Sequence, residues 1–326
     1  MAELDNLQNN QTNNQTNNQQ WQQQTIEKLA LSGLKEQQTA RRWSIFFKFL
    51  TFAYLFLILI MALGWLGGKG VTGPHTALIE IAGVIEPGGE VNADAVIGSL
   101  NEAYDNVNTK GIILRFNTPG GSPVQSGIIN DEIVRQKKLH PKIPVYGVVE
   151  DICASGGYYI AAATDKIYVD KGSIVGSIGV LMDGYGFTEA MKKVGVERRL
   201  LTAGENKAML DPFSPVNEKH QALAQKMLNE IHEQFKTVVR NGRGSRLKET
   251  PETFSGLFWS GEQSIKLGLA DALGSADYVA REVIKHEEIV DYTYQGTIAD
   301  RFAKRFGAGV AKAIGIDAAV KGLQLR

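Results

Sequence analysis

Cysteine is almost missing from this chain: Cys153 stands alone among 326 residues, which excludes an intramolecular disulfide and leaves the redox compartment open. Neither charge is in excess, Lys+Arg 35 balancing Asp+Glu 35, so composition makes no electrostatic case for a nucleic-acid partner. Histidine, the usual general base, is scarce and badly placed. His75 follows an apolar segment, His140 precedes Pro141, His220 and His232 fall on a charged helix, and His286 lies near the end of a later one. None stands at a strand end or in a glycine-rich loop, and nothing in the pattern calls for a metal or another cofactor.

Charge is also absent from residues 49–66 (FLTFAYLFLILIMALGWL), a run of 18 residues. As a helix it is about 27 Å long, enough for a bilayer, and Phe46 and Phe47 extend it if Lys48 snorkels. A single transmembrane helix over 45–66 is therefore expected. Arg41, Arg42 and Lys48 precede the run and only Lys69 follows closely. The positive-inside rule then puts the N-terminus in the cytoplasm and the remainder across a bacterial inner membrane, on its periplasmic side. A cleaved or twin-arginine signal is the competing reading, with Ala62-Leu63-Gly64 as its cleavage site. It fits less well, because the polar leader is long and the apolar run continues through Trp65 and Leu66. Residues 1–44 read as a cytoplasmic tail. Its stretch 6–24 is almost wholly Asn, Gln and Thr around Trp21, too polar to fold, and 27–42 is a charged helix. Residues 67–75 are a glycine-rich linker.

Strands and helices alternate over 76–296, which predicts one α/β domain. Strands are expected at 77–85, 111–116, 145–149, 166–169, 178–182, 197–202 and 288–294, and helices at 92–106, 124–139, 156–163, 188–194, 217–240, 259–269 and 275–286. Leu223, Met227, Leu228, Ile231 and Phe235 form a stripe on the 217–240 helix, suited to a core or to a neighbouring subunit. Beyond the domain, residues 297–326 read as a basic amphipathic tail. Phe302, Phe306, Val310 and Ile314 recur at fourfold spacing with Arg301, Lys304, Arg305 and Lys312 among them, a pattern that suits a membrane surface or a second subunit equally.

The most informative stretch is 144–163, PVYGVVEDICASGGYYIAAA. Residues 145–149 read as a buried strand, 151–155 as a tight turn and 156–163 as a helix of small residues. Ser155 then sits at a strand-to-helix corner, its hydroxyl lifted off the sheet and the N–H of Gly156 free for an oxyanion. An ordinary N-cap serine would show the same local pattern. A second segment sharpens the reading: strand 111–116 runs into Asn117-Thr118-Pro119-Gly120-Gly121-Ser122-Pro123, a loop of bare backbone where Gly121 can supply a second oxyanion donor. Cys153 reads as packing rather than as pocket lining.

These segments resemble the signal peptide peptidase A family of serine peptidases, within the wider Clp-protease and crotonase fold group. NTPGGS at 117–122, ASGGYY at 154–159, GSIGV at 176–180 and GENKAMLDPF at 204–213 carry the resemblance, which covers 76–294. It implies Ser155 as nucleophile, Lys207 as general base, Ser177 as a hydroxyl orienting the lysine, and Gly121 and Gly156 as oxyanion donors. No motif occurs twice, so the chain resembles the short, single-repeat form. The chemistry is coherent with these residues: where no histidine serves, a lysine held neutral by burial can take the serine proton. Ala208, Met209, Leu210, Pro212 and Phe213 surround Lys207 in sequence, while Glu205 and Asp211 must point away from it. Lys166 and Lys171 are rival bases, although both flank the 167–169 strand and more naturally end it in solvent. The resemblance implies a membrane-anchored endopeptidase cutting apolar remnants of signal peptides, assembled as a ring-shaped homo-oligomer. Two alternatives are a crotonase-type acyl-CoA enzyme, which needs no Ser155-Lys207 pair, and a non-catalytic quality-control scaffold.

Overall fold

The computed structural model describes residues 28, 35, 37–60 and 73–294, in two units divided after Gly70. The Asn/Gln-rich tail, residues 61–66 of the apolar run, most of the linker and the basic C-terminal tail lie outside the described residues. In the first unit, helix α1 (Gln37–Ile60) has 24 residues and a mean hydropathy of 2.0, long and apolar enough to cross a membrane. It joins the end of the expected charged helix to the apolar run, since no proline or glycine interrupts 37–60. Trp43 stacks on Phe47 and meets Phe46 edge-on, both with ring centroids 5.8 Å apart. Aromatics beside Arg41 and Arg42 suit the headgroup level of a bilayer.

The second unit is an α/β sheet with interspersed helices. Its elements are β1 (His75–Ala82), α2 (Ala93–Asp105), β2 (Thr109–Thr118), α3 (Pro123–Leu139), β3 (Val145–Ala154), α4 (Gly156–Ala161), β4 (Lys166–Val169), β5 (Ile174–Gly176), α5 (Thr188–Lys193), α6 (Glu218–Arg243), β6 (Phe258–Ser260), α7 (Gly261–Lys266), β7 (Ala272–Leu273), α8 (Ala276–Tyr278) and β8 (Ile289–Asp291). The strands run in the order β6-β5-β3-β2-β1-β8, with β4 and β7 off this path. All pairings are parallel except β5 with β6.

Alternation along the strands explains the two cores. Ala77, Ile79 and Ile81 of β1 face a large core shared with Ile112, Leu114, Phe116, Ile129, Ile133 and Phe235. Leu78, Ile113 and Val148 point the other way, under Val279 and Ala280 of the turn that extends α8. Helix starts follow local chemistry: Asn92 accepts from Ala95 N–H, Ser122 caps α3 ahead of Pro123, and Ser260 and Gln263 form a reciprocal capping box at α7.

Strand β3 is the element that builds the site. Its first half pairs with β4 (Tyr146↔Lys166 to Val149↔Val169), and its second half with β5 (Ile152↔Ile174 to Ala154↔Gly176). The exposed Glu150-Asp151 pair marks the change of partner, and the register against β2 slips between Phe116 and Thr118. The expected turn over 151–155 is therefore strand up to Ala154, because the irregularity keeps Ile152, Cys153 and Ala154 in the ladder.

Three further expectations are corrected. The strand placed at 178–182 lies at Ile174–Gly176, since Ser177 turns the chain out of the ladder, with Gly179 N–H donating to its carbonyl at 2.9 Å. Residues 197–202 form no strand: Leu201 is 97 % exposed, and among the described residues no strand pairs with them. The helix expected over 259–269 begins as β6 and is helical only from Gly261 to Lys266. On α6, Phe235 of the expected stripe is buried while Leu223 and Met227 remain exposed.

Candidate active site

The corner after β3 carries Ser155 at φ 51°, ψ −120°. A serine in this conformation is strained by about 1–3 kcal/mol, and the surrounding ladder must hold it there. It does so directly: Ser155 N–H donates to the Gly176 carbonyl at 2.9 Å, and Ser155 C=O accepts from Tyr159 N–H at 3.0 Å. The side chain makes no capping hydrogen bond to α4. The N-cap explanation of Ser155 therefore loses its physical basis, for its hydroxyl does no work in starting the helix.

Bare backbone closes around this corner. A Cβ on Gly120 would fall 2.8 Å from Ser155 Cβ and 2.7 Å from Gly156 N, and one on Gly156 would fall 3.3 Å from Gly121 N. A Cβ on Gly121, at φ 150°, would sit 2.1 Å from the Ile85 carbonyl oxygen. Only glycines fit at these three positions. The loop is stitched to the chain after β1: Ile85 N–H donates to Gly120 C=O at 2.9 Å, Ser122 N–H to Ile85 C=O at 2.7 Å, and Thr118 Oγ1 to Gly83 C=O at 2.5 Å. Among the described residues, neither Gly121 N–H nor Gly156 N–H is used in a hydrogen bond.

Ser177 follows the residue that receives the Ser155 N–H, so the two serines stand level with each other, one residue past the last β3–β5 pair, Ala154↔Gly176. Both adopt φ 51°. Ser177 is held by its N–H to Leu257 C=O at 2.8 Å. Next to it, the Trp259 indole lies over Gly176, where a Cβ would be 2.9 Å from Trp259 Cδ1.

Lys207 is placed differently. It lies in an exposed turn, its N–H donating to Gly204 C=O at 3.1 Å, and its side chain makes no hydrogen bond or ion pair among the described residues. The structure thus gathers Ser155, Ser177, Gly121 and Gly156, and does not bond Lys207 to them within one chain. A hollow of about 910 Å³ beside the Lys207 turn is lined by Met182, Tyr185, Leu210, Pro212, Val216 and Leu228 among others. Neither serine lines it. Lys166 and Lys171 are exposed at the two ends of β4. Cys153 is buried, and burial pushes its thiol well above the usual range, as a packing residue requires.

Two contributors escaped the sequence reading. Gly120 packs on the Ser155 corner itself, and Ser126 of α3 puts its Oγ 2.4 Å from where a Gly156 Cβ would be. The Pro-Gly-Gly motif pointed to the first; nothing local marks a serine inside a helix as a neighbour of a residue 30 positions away.

A family model described as peptidase family S49 matches residues 137–290. A protein of Methanocaldococcus jannaschii named as a candidate protease is 33 % identical over 214 residues, covering 64 % of this chain and 68 % of that protein. The chain belongs to peptidase family S49. An Enterococcus faecium protein named as a candidate signal peptide peptidase, SppA, is 28 % identical over 233 residues, 69 % of this chain and 67 % of its own length. Similarity is higher, 41 % over 202 residues, to a Brucella melitensis protein named Na(+)/H(+) antiporter NhaA, but the match takes in 60 % of this chain and 27 % of that protein. The chain spans about a quarter of that relative's length. As an S49 protein with an apolar helix ahead of its α/β domain, the chain is a membrane-associated protease homologue.

Proposed function

We propose that this S49 protein is a serine endopeptidase with a Ser155-Lys207 dyad. The observation that carries the reading is the strained Ser155 corner, enclosed by backbone from Gly120, Gly121 and Gly156 and relieved of any capping role. In the proposed reaction Ser155 Oγ attacks a peptide carbonyl carbon and gives its proton to Lys207 Nζ. The oxyanion is received by the N–H groups of Gly121 and Gly156. Collapse breaks the C–N bond as Lys207 returns the proton to the leaving amine, and water then attacks the acyl-serine by the same route. Ser177 orients the lysine amine.

The exposure of Lys207 and its separation from Ser155 in bonding favour a dyad completed between neighbouring copies in a ring-shaped homo-oligomer. Exposed Leu181, Tyr185, Leu201 and Val216 around the turn supply apolar surface for such a neighbour. The name of the Enterococcus relative supports remnant signal peptides, and other apolar peptides in or near the membrane, as substrates. The basic residues before the apolar run support an N-terminus in the cytoplasm and a domain on the periplasmic face of a bacterial inner membrane. The Clp-protease and crotonase fold group is the parentage this reading entails.

Mass spectrometry after treatment with a serine-directed phosphonate tests it. Ser155 should carry the adduct, and Ser155→Ala should abolish both labelling and peptide cleavage while the protein stays folded. An adduct on another serine would remove the nucleophile, and hydration of an enoyl thioester without peptide cleavage would favour acyl-CoA chemistry.

A further inference from the structure

Two carboxylates stand beside Lys207 in sequence, Glu205 and Asp211, and each is already engaged by another cation. Asp211 Oδ2 accepts from Arg198 Nη1 and from Ser214 Oγ, the latter at 2.5 Å. Glu205 is paired with Lys219 at the start of α6. The Asp211 contact is the more enclosed, with side chains 11 % and 32 % exposed against 71 % and 63 % for Glu205 and Lys219. Arg198 is itself fixed, its guanidinium carbon 5.5 Å from the centre of the Phe213 ring. Phe213 stacks on Phe187 at 5.5 Å, and Phe187 N–H donates to Pro212 C=O at 2.8 Å. This bracket sits in a stretch with little regular structure and contributes no buried apolar core. It closes directly on the turn of Lys207, through Met209 N–H to Asn206 C=O and Asp211 N–H to Ala208 C=O. Leu210 lies between them at φ 58°, a backbone conformation a leucine keeps only under constraint.

We infer that Arg198 is a positioning residue that withholds the Asp211 carboxylate from Lys207, leaving the lysine amine unpaired for its work as a base. The inference rests on the reading of Lys207 as that base. A free carboxylate four residues away would favour the ammonium form, which cannot accept a proton. The hydrogen bond from Arg198, then that from Ser214, holds Asp211 below the usual carboxylate range, so its carboxylate stays charged near neutrality. The other charged or titratable groups near the turn among the described residues include Asp183, Tyr185 and His220, which line the adjoining hollow, and the Glu205-Lys219 pair.

The test is the pH dependence of phosphonate acylation at Ser155 in the full-length protein. Arg198→Ala should move the midpoint of the profile to higher pH by about one unit and lower the rate near neutrality about tenfold. Adding Asp211→Asn to Arg198→Ala should bring the midpoint back, because the freed carboxylate is gone. A merely structural role for Arg198 predicts the opposite ranking, with the double variant no better than the single. Arg198→Lys keeps a cation in place and should hold the midpoint, which also shows that the chain folds when this residue is changed. An unmoved midpoint in Arg198→Ala, or a double variant that fails to restore it, overturns the inference. Lys207→Ala run alongside separates the two readings: a normal rate and profile there overturns the base assignment itself, whereas an inactive Lys207→Ala beside an unshifted Arg198→Ala overturns the bracket alone.

Discussion

Around Ser155 almost every residue type is dictated by contact, whereas around Lys207 hardly any is. The serine corner ends a strand with paired neighbours on both sides, and an added methyl at Gly120, Gly121 or Gly156 would meet another atom within 3 Å. The lysine turn lies in a stretch whose side chains are largely exposed and whose order comes from polar brackets at Asp211 and Glu205. Pre-organisation of an oxyanion site and a nucleophile needs the first kind of environment. The second kind suits the proposed completion of the site by a further surface.

Substitutions on the two sides should therefore separate stability from chemistry. The largest loss of stability is expected from Arg243→Ala. Arg243 is 1 % exposed, donates to Gly268 C=O at 2.7 Å and pairs with Asp271 at 2.9 Å, while Tyr158 of α4 donates to the adjoining Leu269 C=O at 2.7 Å. Removing the guanidinium takes the nearer of two cations from the Asp271 carboxylate, leaving it Arg246 and the Ile167 N–H, and should cost about 3 kcal/mol in denaturant unfolding of the detergent-solubilised protein. Loss of less than 1 kcal/mol would mean that the corner is not supported from behind.

Gly121→Ala should come next. The Ile85 carbonyl must move away from the new methyl, at a cost of about 1–3 kcal/mol, and phosphonate labelling should vanish although Ser155 is intact. Retained labelling would detach Gly121 from the oxyanion site.

Acid should act on the same support. Burial alone would raise the Asp271 pKa, but the hydrogen bonds from Arg243 and Ile167 N–H, with the charges of Arg243 and Arg246, outweigh it and hold the carboxyl below its ordinary value. A depressed folded-state value means stability that is complete above the unfolded-state value near 3.8 and lost as pH falls through the folded one. Asp271→Asn should flatten the part of the stability profile below about pH 4 and lower the plateau above it. A parallel profile in the variant would assign acid unfolding to other carboxylates.

The smallest change in stability belongs to the lysine side. Leu201→Ser should leave unfolding within about 0.5 kcal/mol of the parent, since Leu201 touches nothing that it would leave unfilled. If a second copy covers this surface, sedimentation should show smaller particles. Destabilisation of the isolated chain would instead place Leu201 in a core of its own.

Much of this contrast was legible in the residues. The serine corner, the two glycine loops and the 166–169 strand are set by neighbours within a few positions, and they stand where expected. The strands expected at 178–182 and 197–202 failed for one reason: alternating side chains mark a strand only if a partner edge exists, and edges are supplied by segments far away in sequence.

What the sequence determined by itself is which serine stands at a strand end before two glycines, which loop can approach it without side chains, and which stretch is apolar enough for a membrane. Each is a matter of residue type and short spacing. Only the tertiary structure decided that Ser177 stands level with Ser155, that Gly120 packs on Ser155, and that Asp211 and Glu205 are turned to Arg198 and Lys219 rather than to Lys207. Those depend on strand register and on where ion pairs close across 13 or 14 residues, and neither is encoded in any window short enough to be read locally.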